Sequence, residues 1–107
     1  MKLQQLIPKE KGDMEAVEIL NAFTYAQVKP IIPQLLIWLQ DMNWPVARPV
    51  AEYLRQFTEE ISPELLNILQ GDDEMWKYWI IDVFGSTTTN TAVIKEMERI
   101  AYNPTPN

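Results

Sequence analysis

The sequence predicts an all-α fold of about six helices, paired as three antiparallel hairpins. Three observations carry that expectation. Apolar residues recur at the three- and four-residue spacing of helical faces along most of the chain. Strand signals are nearly absent, with no Asn-Gly or Asp-Gly hairpin turn and no sustained apolar-polar alternation. One phrase also occurs twice. Pro33-Gln34-Leu35-Leu36-Ile37-Trp38-Leu39-Gln40 returns as Pro63-Glu64-Leu65-Leu66-Asn67-Ile68-Leu69-Gln70, at an offset of 30 residues.

Asp13, after Gly12, is placed to cap a first helix over 14–22, with Ala16, Val17 and Leu20 on its apolar face. Thr24 is the next cap. Pro30 and Pro33 each remove a backbone donor and disfavour helix in the residue before them. A short turn over 25–29 is therefore expected, then a bend, then a firm helix over 31–40 with Pro33 in its first turn. Asp41 or Asn43 is expected to cap a third helix that includes Pro45 and runs to residue 57. Val46, Val50, Tyr53, Leu54 and Phe57 are its inner face, and Pro49 falls awkwardly at its fifth position. Ser62 is the expected cap of the fourth helix, with Pro63 at its first position and Glu64 suited to the helix dipole. Gly71 is expected to end it in a left-handed conformation. Asp72 or Asp73 caps a fifth helix through Trp76, Tyr78, Trp79, Ile80, Ile81, Val83 and Phe84. Its nearly all-round apolarity predicts a place in the middle of the stack. Gly85 stops it, and Thr89 or Asn90 opens a last helix to residue 102, with Val93, Met97, Ile100 and Ala101 facing in.

The 107 residues suit one domain, with 1–12 and 103–107 as irregular ends. A chain of this length buries about two thirds of its unfolded surface, enough for a core without staples. An apolar fraction of 47% with 22% charged residues is ordinary globular composition. Cysteine and histidine are both missing. That removes thiolate chemistry, Ser-His and Cys-His nucleophile pairs, and the usual zinc ligands, so neither cofactor nor metal is expected. The net charge is −6 and the nine basic residues are scattered singly, which makes nucleic acid a poor partner. The segment MKLQQLIPKEKGD has no apolar run of signal-peptide length, and no stretch is long enough to span a membrane. A cytoplasmic protein is the expectation.

The offset of 30 has the arithmetic of an α-solenoid: three hairpins of about 30 residues, close to the smallest array that buries its own faces. Each copy is followed by an acidic turn and a tryptophan, Asp41 to Trp44 and Asp72 to Trp76. The unit resembles a HEAT repeat, in that PxLLxxLxD precedes Val46, Val50, Ala51 and Leu54. The arginine of that repeat is displaced by one position, to Arg48. The segments LIPK, DMNWPVA and DDEMWKYWII together resemble a family of small bacterial proteins classed only as a domain of unknown function. The resemblance covers about residues 6–101. It implies a HEAT-like all-helical superhelix and a bacterial origin, and it implies no activity.

Trp44 and Trp76 occupy equivalent repeat positions and are candidates for lining a partner groove, tryptophan being a favoured hot-spot residue. Packing between hairpins is the plainer role for them. Asp41, Asn43, Asp72 and Asp73 sit in the matched turns, where they suit a basic surface. Helix capping alone also accounts for them, and neither turn has the spacing of a calcium loop. Lys77 lies among aromatics, where a desolvated amine can act as a base or nucleophile. The simpler reading is a stem buried beside the helix with its head in water. The glutamates at 59, 60, 64, 96 and 98 read as a solvated surface.

The leading functional expectation is a non-enzymatic protein-protein interaction module, an adaptor or immunity-type protein for a partner that is itself basic. A small-ligand or catalytic protein using a Trp/Asp cleft is the alternative. A HEAT-like nucleic-acid binder is disfavoured by the charge.

Overall fold

The computed structural model describes residues 2–102, and among these there is helix and turn but no strand. The described residues form seven α-helices: α1 (Met14–Leu20), α2 (Tyr25–Val28), α3 (Ile32–Ile37), α4 (Ala47–Arg55), α5 (Ser62–Leu69), α6 (Glu74–Phe84) and α7 (Thr91–Tyr102). The 3-10 segment Lys29–Ile31 links α2 to α3 and Trp38–Gln40 extends α3, so 25–40 is one continuous helical run and the seven helices make six such runs; ψ is near zero at Val28 and Ile31, on either side of the Pro30 segment. A further 3-10 turn, Leu3–Leu6, lies within the stretch expected to be irregular. The expected irregular end at 103–107 lies outside the described residues. The chain divides into two compact units, Met1–Phe57 and Thr58–Asn107.

In the first unit, Asp13 caps α1 as its position predicts, accepting a hydrogen bond from the Ala16 amide (3.3 Å). The helix ends at Leu20, two residues early. Asn21 folds its side chain back onto the Val17 carbonyl, and the Ala22 and Phe23 amides take carbonyls three residues back. Thr24 and Gln27 form a reciprocal capping box on α2. Helix α4 packs against α1 and against the segment Trp38–Gln40. The Tyr53 hydroxyl donates to the Phe23 carbonyl at 2.7 Å, and Phe57 contacts the rings of both Tyr25 and Tyr53.

Neither Asp41 nor Asn43 caps α4, and Pro45 lies outside it. The helix starts at Ala47 with Val46 before it and no side-chain cap. Proline explains the shift. A start at Ala47 puts Pro49 third in the helix, within the first turn, where its missing N–H would have no intrahelical acceptor anyway. Pro49 is thus not at the awkward fifth position.

In the second unit, α5 packs against both α6 and α7. In this unit it is α5 that packs on two other helices. The expectation for α6 fails because its apolar residues are not all covered. Ile80 and Phe84 are fully buried, but Met75 and Tyr78 are 59% and 57% exposed. The loop before α7 is tied to the start of the unit. The Glu59 carboxylate accepts from the Thr89 amide and hydroxyl (3.0 and 2.8 Å), and the Thr58 and Thr87 hydroxyls lie 3.1 Å apart.

Ser62 does not cap α5. It is the first helical residue, and its hydroxyl donates back to the Thr58 carbonyl (3.1 Å). Gly71 is not left-handed, since no described residue has positive φ. The last turn closes instead through the Gly71 amide on the Ile68 carbonyl (3.0 Å), which satisfies that acceptor without a backbone reversal. Gly85 does mark the end of α6. A Cβ there would come within 2.6 Å of the Ile81 carbonyl oxygen, so the close approach requires glycine.

The repeated phrase has matching local structure. Pro33 and Pro63 are each the second residue of their helix, and Leu35, Leu65, Leu39 and Leu69 are all fully buried. The match resumes two residues before the phrase itself. Ile31 and Ile61 both precede their helix with φ near −100° and ψ near zero (−107°, 5° and −93°, 10°), and both are buried. Each unit thus holds one copy.

Candidate functional site

The turn after Trp38–Gln40 is organised by Asp41. Its Oδ1 accepts from the Asn43 amide (2.9 Å), and its carbonyl accepts from the Trp44 amide (3.2 Å). This local bonding is what aspartate offers a turn. It turns Trp44 onto Trp38, edge to face, with ring centroids 5.3 Å apart. Trp44 is half-buried and Asn43 exposed. Sequence reasoning missed the pairing with Trp38, although an aromatic on each side of a five-residue turn is a legible signal.

In the second unit, Asp73 caps α6 by accepting from the Trp76 amide (3.0 Å). Asp72 beside it is exposed and makes no hydrogen bond or ion pair among the described residues. Of the two aspartates, Asp72 is the one whose charge is fully offered to solvent. Trp76 is half-buried. Lys77 is 8% exposed, and its Nζ reaches Glu74 Oε1 at 3.1 Å. Its stem is buried and its head is engaged, an arrangement that leaves little for a reacting group to meet. The two turns belong to different units.

Charge is divided unequally between the units. Met1–Phe57 holds six acidic and six basic residues, whereas Thr58–Asn107 holds nine acidic and three basic, so the whole net charge of −6 belongs to the second. Lys77 and Arg99 are paired with Glu74 and Glu96, which leaves Lys95 as the one cation of that unit without an ion pair among the described residues. Neither composition nor turn motifs reveal this division, because it appears only when the unit boundary is known.

Each unit also carries a surface groove. In the first, about 250 Å³ is lined by Gln5, Lys9, Asp13, Glu15, Ala16 and Ile19. Asp13 is already committed there, since its second carboxylate oxygen accepts from the Lys9 amide (3.0 Å). In the second, about 280 Å³ lies between α6 and α7, with Ile81 and Gly85 on one side and Ile94, Ala101 and Tyr102 on the other. Among the described residues no three His, Cys, Asp or Glu side chains come together to hold a metal ion, and no helix is long and apolar enough to cross a membrane.

Two helical units, a capped acidic turn and an acidic second unit define an all-helical protein. The chain belongs to the family described as domain of unknown function DUF5071, whose sequence profile matches residues 6–107. No curated protein matches it.

Proposed function

We propose that this protein is a non-enzymatic interaction module, an adaptor or immunity-type protein, that engages a basic protein surface through its second unit. The observation that supports this is the concentration of the net negative charge in Thr58–Asn107. A field of one sign steers and selects an oppositely charged partner. Asp72, free of any capping duty, is the candidate from the matched turns with the most to contribute.

The reading includes HEAT-like stacking of antiparallel hairpins into a superhelix, a bacterial source and a cytoplasmic setting. The matched copies at Ile31–Leu39 and Ile61–Leu69 support the first. The resemblance of LIPK, DMNWPVA and DDEMWKYWII supports the second, and the cysteine-free composition accords with the third.

The test is capture from the host's lysate on immobilised protein, washed at low and high salt. The wild type is compared with a variant in which Asp72, Asp82 and Glu98 are neutralised to Asn, Asn and Gln. One dominant protein, retained at low salt and lost both at high salt and on the variant, is the expected result. An empty bait at low salt would sink the reading and return weight to a small-ligand role for Trp44 or Trp76.

A further inference from the structure

Six large hydrophobic side chains are exposed among the described residues, and four of them belong to α6 and α7: Met75, Tyr78, Ile94 and Tyr102. Exposed apolar surface gathered on a small domain marks an interaction site, and of these four Ile94 and Tyr102 line one groove. On α6, Met75, Tyr78, Asp82 and Gly85 follow at helical spacing and form one stripe. On α7, Ile94, Glu98, Ala101 and Tyr102 line the facing side of the groove. Met97 is buried at its base, and the missing side chain at Gly85 leaves the α6 end open. Ile94 to Tyr102 spans about 12 Å of helix, roughly two turns.

Charge decides among possible occupants. The groove belongs to the unit that carries the net −6. Glu98 is part of its wall, and Asp82, outside the lining, is exposed one turn before Gly85 at its rim; against these stands Lys95, one turn from Glu98. A second copy of this chain would bring another acidic unit against the first, and like charges across an interface are penalised. A partner with an apolar stripe between cations meets both features at once, in the manner of a helix laid into a groove.

We propose that the groove between α6 and α7 docks an amphipathic basic segment of a partner protein, its aliphatic side chains seated against Ile94 and Tyr102 and its lysine or arginine flanks meeting Asp82 and Glu98. This rests on the proposed interaction role and assigns it a place.

The experiment uses the full chain, labelled at isoleucine and methionine methyls. The probe is a designed Leu/Lys amphipathic helix of about five turns. A Leu/Glu peptide with the same apolar stripe is the control. Saturable shifts at the methyls of Ile81, Ile94 and Met97 are expected with the Leu/Lys peptide and not with the Leu/Glu one. Tyr102→Ser and Glu98→Lys, both at exposed positions, are each expected to weaken binding by roughly tenfold. Equal binding of the two peptides overturns the charge assignment. Shifts confined to other methyls overturn the groove, and so does absence of binding, while the lysate capture judges the broader role separately. A dimer in sedimentation that Tyr102→Ser dissociates would give the groove to a second copy instead.

Discussion

Tyr53 shows how much a single side chain contributes in the first unit. It is 2% exposed, it hydrogen-bonds the Phe23 carbonyl across 30 residues of sequence, and its ring meets Phe57. Burial pushes its phenol above the ordinary value of 10.0, because the charged form is the one desolvation penalises. The folded state therefore holds this proton where the unfolded state releases it. The associated stability is complete below pH 10 and falls as the pH rises from there toward the folded value. Tyr53→Phe is expected to cost about 1 kcal/mol at neutral pH through the lost hydrogen bond. It should also flatten the alkaline decline, which urea melts on either side of pH 10 would reveal. The helical spacing of Tyr53 is legible as a core position. Its acceptor is not, because a contact 30 residues away leaves no local trace. Trp44 differs: its ring partner Trp38 is six residues back, near enough for the pairing to be read from the sequence.

At the scale of the element, caps separate what local chemistry decides from what neighbours decide. Asp13 and Thr24 each accept from the amide three residues on, as expected, and of the paired candidates it is Asp73, not Asp72, and Asn90, not Thr89, that do the same. Asp73→Ala is expected to cost about 1 kcal/mol in thermal or urea unfolding. Asp72→Ala should change stability by less than about 0.5 kcal/mol, as surface substitutions do. Equal losses from both would remove the distinction between cap and free charge on which Asp72's proposed role depends. The starts that differ from expectation are those of α4 and α5. Both begin after a buried apolar residue, Val46 and Ile61, and neither has a side-chain cap. Burial of those residues fixes the entry of the chain, so a nearby Asp, Asn or Ser is not required. A rule based on capping residues alone reads such a start too early or assigns it to the wrong side chain.

For the whole molecule, tryptophan placement offers a direct test of the single-domain expectation. Trp38 and Trp44 belong to one compact unit, Trp76 and Trp79 to the other. Two substituted proteins, each keeping one pair and carrying phenylalanine at the other, report the units separately by fluorescence. Coincident denaturant midpoints are expected if the chain unfolds as one domain. Midpoints separated by more than the phenylalanine substitutions themselves cost in stability would divide it. Helical class, six helical runs and the repeated phrase were determined by the sequence itself, through apolar spacing and the lack of strand signals. These are properties of neighbours along the chain. Tertiary structure alone decided which helices pack on which, where the boundary between the units falls and which apolar side chains stay exposed. Each of those depends on residues far apart in sequence, and a residue's own spacing records only that it can be buried, not what will bury it.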